Sequence, residues 1–279
     1  MFSFFNYDPK ARIKEILGAF ELPRFRKAVF ETLKRLRDPD STTNQICQGM
    51  STDPDLVSRV MRTVNSTAYA PRTKITSLDH AIAMLGNSNL ERIVMVLGAR
   101  GCIPQKTPSY LTLQQFWKTS SKRAVLAKEV AEATSPAKAN LSFSAGFLQD
   151  ISIPLVASAK PDDYGKVFQE ALTGTRDLHT LEKETFGWDH AELGAMICAE
   201  WDLPEDLAGC IHAQNEVNSP LRPDPVYFVS SLPDEHPPEW NEKFIQMVRE
   251  RCPALEEEQL KNMLAQCGGK ADELAKMLT

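Results

Sequence analysis

The sequence predicts an all-α protein. Apolar residues recur along it with the spacing of one helix face, and many of these segments begin and end with residues typical of helix caps. No convincing run of alternating apolar and polar residues is present, and neither is an Asn-Gly or Asp-Gly pair that would mark a tight hairpin. With 279 residues, the chain is long enough for one large core or two modest ones.

The first well-marked helix follows Thr52, which we expect to be its N-cap. Proline and aspartate at Asp53–Asp55 suit a first helical turn. One apolar stripe follows, formed by Leu56, Val57, Val60, Met61 and Val64. Ser77 is predicted to begin the next helix and Gly86 to end it.

Three further helices are predicted in the middle of the chain. Residues Ile93–Leu97 are apolar on every side, which indicates a buried helix. A long helix is expected over Phe116–Ala133, and another over Trp188–Trp201, where small and apolar residues recur at helical spacing.

Proline and glycine mark the breaks between these helices. Short breaks are predicted at Pro71–Thr76, Gly101–Ser109 and Ser135–Pro136. A longer one at 204–238 holds seven of the eighteen prolines. We expect that region to separate the core from a C-terminal tail of two short helices, Glu256–Gln266 and Ala271–Leu278, around Gly268-Gly269.

The net charge of −5 conceals an asymmetry between the two halves. Residues 1–140 carry a balance of +9 and residues 141–279 one of −14. The halves could face each other, both charge sets could be solvated, or the basic half could bind an anionic partner. Because the basic residues are spaced along helices rather than massed, a nucleic-acid partner is not expected.

The compartment expected from the sequence is the cytoplasm. Six scattered cysteines lack any C-x-x-C spacing, which favours reduced thiols over disulfides or a zinc knuckle. The N-terminal residues lack the pattern of a signal peptide, and the longest uncharged apolar run, Ile93–Ala99, is far too short to span a membrane.

Catalytic motifs are absent from the sequence. It contains no G-x-G-x-x-G, no phosphate-binding P-loop, no H-E-x-x-H and no G-x-S-x-G. None of the five histidines is followed by aspartate. Because a metal site needs three or four converging donors, the residues alone indicate no active site.

Two parts of the chain nevertheless resemble the HDOD family, bacterial signalling modules related to HD-type metal-dependent phosphohydrolases. The first part is Leu22-Pro23, then Asp53–Ser66 followed by Ile75–Gly86, with a helix that ends in Asn-Ser and then Thr-Ser-Leu-x-x-Ala-Ile-x-x-Leu-Gly. The second part comprises Gly146–Ile151, Glu184–Ala195 and Trp201–Pro204. Together they cover about residues 20–215.

The resemblance implies a multi-helix bundle of two packed helical subdomains. Its core would span residues 18–215, with a first helical half at 18–108 and a degenerate HD-like half at 109–215. An N-terminal helix, 1–17, would precede the core. The proline-rich connection and C-terminal helices, 216–279, would follow it.

The resemblance also places the metal ligands of HD-type enzymes on this sequence. The early histidine aligns with Thr119, the His-Asp pair with Gln149-Asp150, and the late aspartate with Ser231 or its neighbour Ser230. A His-His pair of some relatives falls near Gln214-Asn215, and His190 is a further histidine in the region. Only Asp150 and His190 could still bind metal, because threonine and glutamine are weak neutral donors. We therefore expect no metal, no cofactor and no catalytic residue.

A structural role is expected for the remaining polar residues. Asp150, His190 and Gln149 could form one hydrogen-bonded cluster, because buried polar groups need partners. Asn65 and Ser66 could cap their helix, or they could contact a partner. A basic group near the same turn, which could bind a small anion or a partner, comprises Arg59, Arg62, Arg72 and Lys74.

The function expected from the resemblance is non-catalytic signal transduction or regulation through a protein partner. The remaining chain leaves no room for a separate sensor or output domain, so partners would be supplied in trans. One alternative is a metal-dependent phosphohydrolase of the HD type that uses Asp150, His190 and unrecognised ligands. The other is an anion- or nucleotide-binding regulator without catalysis that uses Arg59 and Arg62.

Overall fold

The computed structural model describes residues 5–66, 71, 73–233 and 238–278. Within these ranges it has sixteen α-helices, one 3₁₀ turn (Pro136–Lys138) and no strand, which confirms the all-α prediction. The helices are α1 (Pro9–Leu17), α2 (Lys27–Arg37), α3 (Thr43–Ser51), α4 (Pro54–Val64), α5 (Leu78–Leu85), α6 (Asn87–Cys102), α7 (Leu113–Thr134), α8 (Ala139–Leu148), α9 (Ser152–Ala159), α10 (Pro161–Leu172), α11 (Leu178–Phe186), α12 (His190–Glu200), α13 (Glu205–His212), α14 (Asp224–Ser230), α15 (Pro238–Arg251) and α16 (Glu257–Lys276).

The chain forms two compact units. The small unit comprises Pro23–Cys102 and Glu273–Thr279, and the large unit comprises Met1–Leu22 and Ile103–Asp272. Helices α2 to α6 therefore belong to the small unit, while α1 and α7 to α15 belong to the large one. Both units are discontinuous in sequence, whereas the division inferred from the resemblance is continuous.

Helix caps in the small unit agree with the sequence at α5 but not at α4. The Ser77 hydroxyl accepts a hydrogen bond from the His80 backbone N–H at 3.3 Å, and Gly86 ends α5 with φ +71°, as predicted. Helix α4 is capped by Asp53, which has an extended backbone and accepts from Leu56 N–H at 3.0 Å. Thr52 is already helical and ends α3 instead, so its prediction as N-cap was wrong.

The other predicted helices of the core are present. Residues 93–97 of α6 are all buried, as their apolar character indicated. Helix α7 extends the predicted Phe116–Ala133 by a few residues at its start and one at its end. Helix α12 begins at His190 rather than Trp188, because the Asp189 side chain caps it by accepting from Glu192 N–H at 2.8 Å.

Close packing of α7 against α8 forms the centre of the large unit. Gly146 of α8 makes this approach possible, because a Cβ there would lie 2.9 Å from the backbone oxygen of Arg123. Helix α13 also packs on α8, and α14 packs on both α7 and α8. This packed group carries Arg123 on α7 and Asp150 in the turn after α8.

Helix α15 and the part of α16 up to Asp272 belong to the core of the large unit. They share one apolar cluster with α7 and α14, which includes Leu126, Phe228, Phe244, Leu260 and Ala271. The expected separation of a C-terminal tail by the proline-rich region was therefore wrong. That region contains α13 and α14 themselves. Pro204 precedes α13 as its N-cap, and Pro225 lies in the first turn of α14, where proline is compatible with a helix.

The two short C-terminal helices predicted around Gly268-Gly269 are one continuous helix, α16. Both glycines have ordinary helical backbone, and burial of Cys267 and Ala271 on either side of them holds the helix together. Tertiary packing thus outweighs the low helix propensity of glycine.

This continuity predicts that alanine at both glycines stabilises the protein. A Cβ at Gly268 or Gly269 would meet no atom within 4 Å. Gly268→Ala combined with Gly269→Ala should raise the free energy of unfolding by about 1–2 kcal/mol, because alanine loses less backbone freedom in a helix. Urea denaturation of the variant and the wild type measures this, and a destabilised variant would contradict it.

One stretch, residues 136–159, is long and apolar enough to cross a membrane by length and composition. In the structure it comprises the 3₁₀ turn, α8 and α9, and 78% of its most apolar window is buried. We therefore assign it to the core of the large unit.

Candidate functional site

A buried polar cluster lies where several helices of the large unit meet. Asp150 stands in the turn between α8 and α9, and His190 is the first residue of α12. Helix α7 contributes Arg123, and α11 contributes Glu182. The structure thus brings together Asp150 and His190, the two candidates that remained from the ligand pattern, with two partners that the sequence did not indicate.

His190 is bound chiefly by Glu182, which is completely buried. One carboxylate oxygen, Oε2, accepts from the backbone N–H of His190 at 2.8 Å and from its Nδ1 at 2.6 Å. The other, Oε1, accepts from the Tyr164 hydroxyl at 2.5 Å. The backbone oxygen of His190 accepts from the Ser152 hydroxyl at 2.7 Å. The imidazole is therefore fixed in orientation from one side.

Charge around His190 favours the protonated imidazole. Burial opposes protonation, but the charge and hydrogen bond of Glu182, together with the charges of Asp150 and Asp189, raise the pKa of His190 to about 9. Its Nε2 lies 3.8 Å from Asp150 Oδ1, which is close enough for electrostatic attraction but too long for a hydrogen bond.

The Asp150 carboxylate is bound by the guanidinium of Arg123. Arg123 Nη1 donates to Asp150 Oδ2, and Nη2 donates to the backbone oxygen of Leu232 at 2.9 Å. Both residues are largely buried, with side-chain exposures of 10% for Arg123 and 16% for Asp150. Asp150 thus has a cationic group at each oxygen, guanidinium at Oδ2 and imidazole near Oδ1.

Amide side chains occupy the space next to Asp150. Gln149 is 1% exposed, and its backbone oxygen accepts from Gln214 Nε2 at 2.9 Å. Neither amide atom of the Gln149 side chain has a hydrogen-bond partner within the described residues, and the same holds for Gln214 Oε1. Gln149 therefore lies beside the charged cluster without joining its network.

The other positions aligned with ligands lie apart or carry neutral groups. Thr119 is buried on α7, one turn before Arg123. Ser231 is exposed, and its backbone oxygen accepts from Trp240 Nε1 at 3.0 Å. Neither offers the carboxylate or imidazole that a divalent metal would need.

The cluster does not fit the metal centre of HD-type hydrolases. Asp150 Oδ2 is bound by a permanent cation, and Glu182 favours a protonated imidazole at His190, which has no free lone pair to offer a metal. Among the residues that the structure describes, no group of three or more His, Cys, Asp or Glu side chains is arranged to hold a metal ion. A metal bound to both carboxylate oxygens of Asp150 would have to displace the guanidinium from Oδ2.

Arg123 and Glu182 were missed by the sequence reasoning. Arg123 is a charged residue one turn beyond Thr119, on the apolar face of a long helix. A charge at such a position indicates a buried group that needs a partner, so the sequence could have singled it out. Glu182 lies eight residues before His190 in a helix rich in charged residues, where nothing in the sequence distinguishes it from exposed Glu184.

The basic group near the α4 turn belongs to the small unit. Arg59 is bound to Asp55, with Nε at 2.9 Å from Oδ1 and 3.1 Å from Oδ2. Arg62 and Lys74 are exposed, and Arg72 lies outside the described residues. Of these side chains, Arg59 is therefore already engaged by a carboxylate of its own helix.

Asn65 connects the end of α4 to the segment before α5. Its amide nitrogen donates to the backbone oxygens of Met61 at 2.8 Å and Ile75 at 2.9 Å, and its side-chain oxygen accepts from Ile75 N–H at 2.8 Å. Ser66 follows in the turn, where its backbone N–H donates to Thr63 O at 3.0 Å. The Asn65 side chain thus closes a loop within the small unit.

Asn65→Ala should therefore destabilise the isolated protein. Loss of three hydrogen bonds at a half-buried site is expected to lower the free energy of unfolding by about 1–3 kcal/mol. Ser66→Ala is the matched control, with an expected change within about 0.5 kcal/mol. Urea denaturation of both variants measures this. If Asn65→Ala and Ser66→Ala were equally stable, a contact of Asn65 with a partner would be favoured over its structural role.

The raised pKa of His190 predicts that stability declines at alkaline pH. The pKa of His190 in the folded protein, about 9, lies above its ordinary value of 6.5. Between pH 6.5 and 9 the folded protein therefore still binds the imidazole proton that the unfolded chain has lost. Protonation of His190 contributes up to about 3 kcal/mol to the free energy of unfolding. This contribution is complete below about pH 6.5 and is lost as the pH rises through 9. Denaturant unfolding across this range measures it.

His190→Gln should flatten this pH dependence, while His80→Gln, an exposed position, should leave it unchanged. A wild-type decline that persists in His190→Gln would show that another group is responsible.

Comparisons with known proteins agree on the fold. The model of the HDOD domain family matches residues 22–217, about the span over which the sequence carries the resemblance. A protein of uncharacterised function from Treponema pallidum is 24% identical over 205 residues, which cover 73% of this chain and 39% of that protein. The chain therefore spans well under half the length of this relative.

Solved structures resemble the whole chain. A candidate phosphohydrolase from Shewanella amazonensis is 25% identical with a TM-score of 0.77, and the match covers 98% of both chains. An HDOD domain protein of unknown function from Geobacter sulfurreducens is 20% identical with a TM-score of 0.72, over 97% of this chain and 98% of its own. A candidate signal transduction protein from Marinobacter aquaeolei is 17% identical with a TM-score of 0.75, over 100% of this chain and 67% of its own.

Proposed function

The chain belongs to the HDOD family, and we propose that it is a non-catalytic regulatory module that acts by binding another protein in the cytoplasm. The observation that carries the proposal is the polar cluster of the large unit. Both groups that could still bind metal, Asp150 at an aligned ligand position and His190 near it, are engaged by Arg123 and Glu182 of the same chain.

Hydrolysis of a phosphoester on this type of scaffold needs a metal that activates water and offsets charge on the phosphate. A catalytic metal also needs an open coordination position. The cluster offers instead a carboxylate paired with guanidinium and an imidazolium paired with carboxylate. The first pair joins α7 to the turn after α8, and the second joins α11 to α12, so these mutually neutralised groups leave no free ligand set.

The cysteines suit a place in the cytoplasm. All six cysteines are free, four of them buried, as in a reducing compartment. The candidate phosphohydrolase from Shewanella amazonensis, at 25% identity, makes phosphohydrolase activity the alternative that an experiment must separate from binding.

The experiment compares the wild type with a variant in which the charge pair is removed as a unit, Arg123→Met with Asp150→Asn. Removal of both partners avoids an uncompensated buried charge, so this variant should fold. Each protein is used as bait for crosslinking capture from the cells that produce it. Each is also assayed with Mn²⁺ on p-nitrophenyl phosphate, nucleotides and a cyclic dinucleotide.

We expect both baits to recover the same protein partner and neither to hydrolyse any substrate above background. The paired variant must first match the wild type in circular dichroism. Metal-dependent hydrolysis by the wild type that the paired variant lacks would overturn the proposal, as would failure of the wild type to recover any partner.

A further inference from the structure

Three chain segments meet at the guanidinium of Arg123. The side chain starts from α7, one turn beyond Thr119, and reaches Asp150 after α8 and the backbone oxygen of Leu232 after α14. These are the same three segments onto which the resemblance places the early histidine, the His-Asp pair and the late aspartate of HD-type enzymes, the last near Ser231. One positive group of the chain therefore joins the segments that a metal joins in those enzymes.

The chemistry of this group matches the place. A buried carboxylate such as Asp150 needs a positive partner, and an isolated buried charge would be costly. Guanidinium stays protonated at any ordinary pH and presents its donors in a planar fork, so it can bind a carboxylate and a carbonyl at once. Like a divalent metal, it places positive charge between oxygen atoms from different chain segments, the turn after α8 and the segment after α14.

We propose that the Arg123 guanidinium is the built-in cation of this site, replacing the divalent metal of HD-type hydrolases and holding Asp150 and the segment after α14 together. This inference rests on the proposed non-catalytic function. It adds that the site still binds a cation, which is now the Arg123 side chain of the same protein instead of a metal ion.

The test is chemical rescue of Arg123→Ala. Truncation leaves Oδ2 of Asp150 and the Leu232 carbonyl without their cationic donor, and the melting temperature should fall by about 5–15 °C. Methylguanidinium chloride at about 10–50 mM should bind in place of the missing side chain and restore at least half of the loss, since a ligand bound only by the folded state stabilises it. Sodium chloride at equal ionic strength should not.

Two controls make the rescue specific to the proposed contact. Wild-type protein, whose cation is in place, should gain nothing from methylguanidinium. Arg123→Ala combined with Asp150→Asn, which lacks the carboxylate, should gain nothing either. If Arg123→Ala is obtained only as insoluble protein, its refolding yield with and without methylguanidinium replaces the melting temperature as the readout.

Rescue that depends on Asp150 supports the inference. Absence of rescue in Arg123→Ala, or equal rescue without the Asp150 carboxylate, would overturn it. Stabilisation of the wild type by Mn²⁺ that Asp150→Asn abolishes would also overturn it, because metal would then share the site with Arg123. Failure of the proposed function would instead be seen as hydrolysis or as the lack of a partner, neither of which the rescue experiment measures.

Discussion

Glu182→Gln is expected to lower the free energy of unfolding by about 3 kcal/mol, one of the largest effects of any single isosteric change in this chain. The Glu182 carboxylate accepts hydrogen bonds from the Tyr164 hydroxyl, the His190 Nδ1 and the His190 backbone N–H, and it is fully buried. An amide cannot accept all of these, and it removes the counter-charge of a protonated imidazole. Breaking one half of a buried ion pair is strongly destabilising.

Glu184→Gln is the matched control for this prediction. Glu184 lies two residues further along α11, where it is exposed and paired with Arg176. An exposed pair contributes little, so its loss should cost no more than about 0.5–1 kcal/mol. Denaturant unfolding of both variants at pH 7 gives the comparison. If the two variants lost similar amounts of unfolding free energy, the buried cluster would not be important for the stability of the large unit.

Gly146→Val is expected to destabilise the large unit by at least about 3 kcal/mol. A Cβ at Gly146 would lie 2.9 Å from the backbone oxygen of Arg123 and 3.2 Å from the Ala127 Cβ. The main obstacle is helix backbone, which cannot turn aside as a flexible side chain can, so α7 and α8 would have to move apart. Their separation would also pull Arg123 away from Asp150.

Gly101→Ala is a suitable comparison for Gly146→Val, because a Cβ at Gly101 would meet no atom within 4 Å. Alanine there should be neutral or stabilise the protein by up to about 1 kcal/mol. Thermal melts followed by circular dichroism measure both variants. A valine at Gly146 without a clear drop in melting temperature would contradict the close approach of α7 and α8.

Local signals in the sequence predicted much of the fold. Ser77 and Gly86 delimit α5 because the residues that cap a helix act within a single turn, and the all-apolar run in α6 could only be buried. The same local reasoning failed at Gly268-Gly269. There the burial of Cys267 and Ala271, a tertiary effect, carries the helix through two weak helix formers.

The polar cluster could be predicted only in part. The resemblance singled out Asp150 and His190, and both lie in the cluster. Their partners were out of reach, because Arg123 lies 27 residues before Asp150 and 109 before Leu232. Pairings over such separations depend on how α7, α8 and α14 pack. Neither the periodicity of apolar residues nor the capping residues of a helix indicate how helices pack against each other. The sequence could also not show that a guanidinium binds Asp150, which aligns with a metal ligand of HD-type enzymes.

Metal content of the gently purified protein tests the central claim most directly. The protein should be prepared without chelators and without a histidine tag, and analysed for manganese, iron, nickel and zinc before and after incubation with an excess of each. Because guanidinium binds Asp150 and Glu182 binds His190, we expect far less than one metal ion per chain in both samples. Nearly one ion per chain that disappears in Asp150→Ala would contradict the non-catalytic assignment and restore the phosphohydrolase alternative.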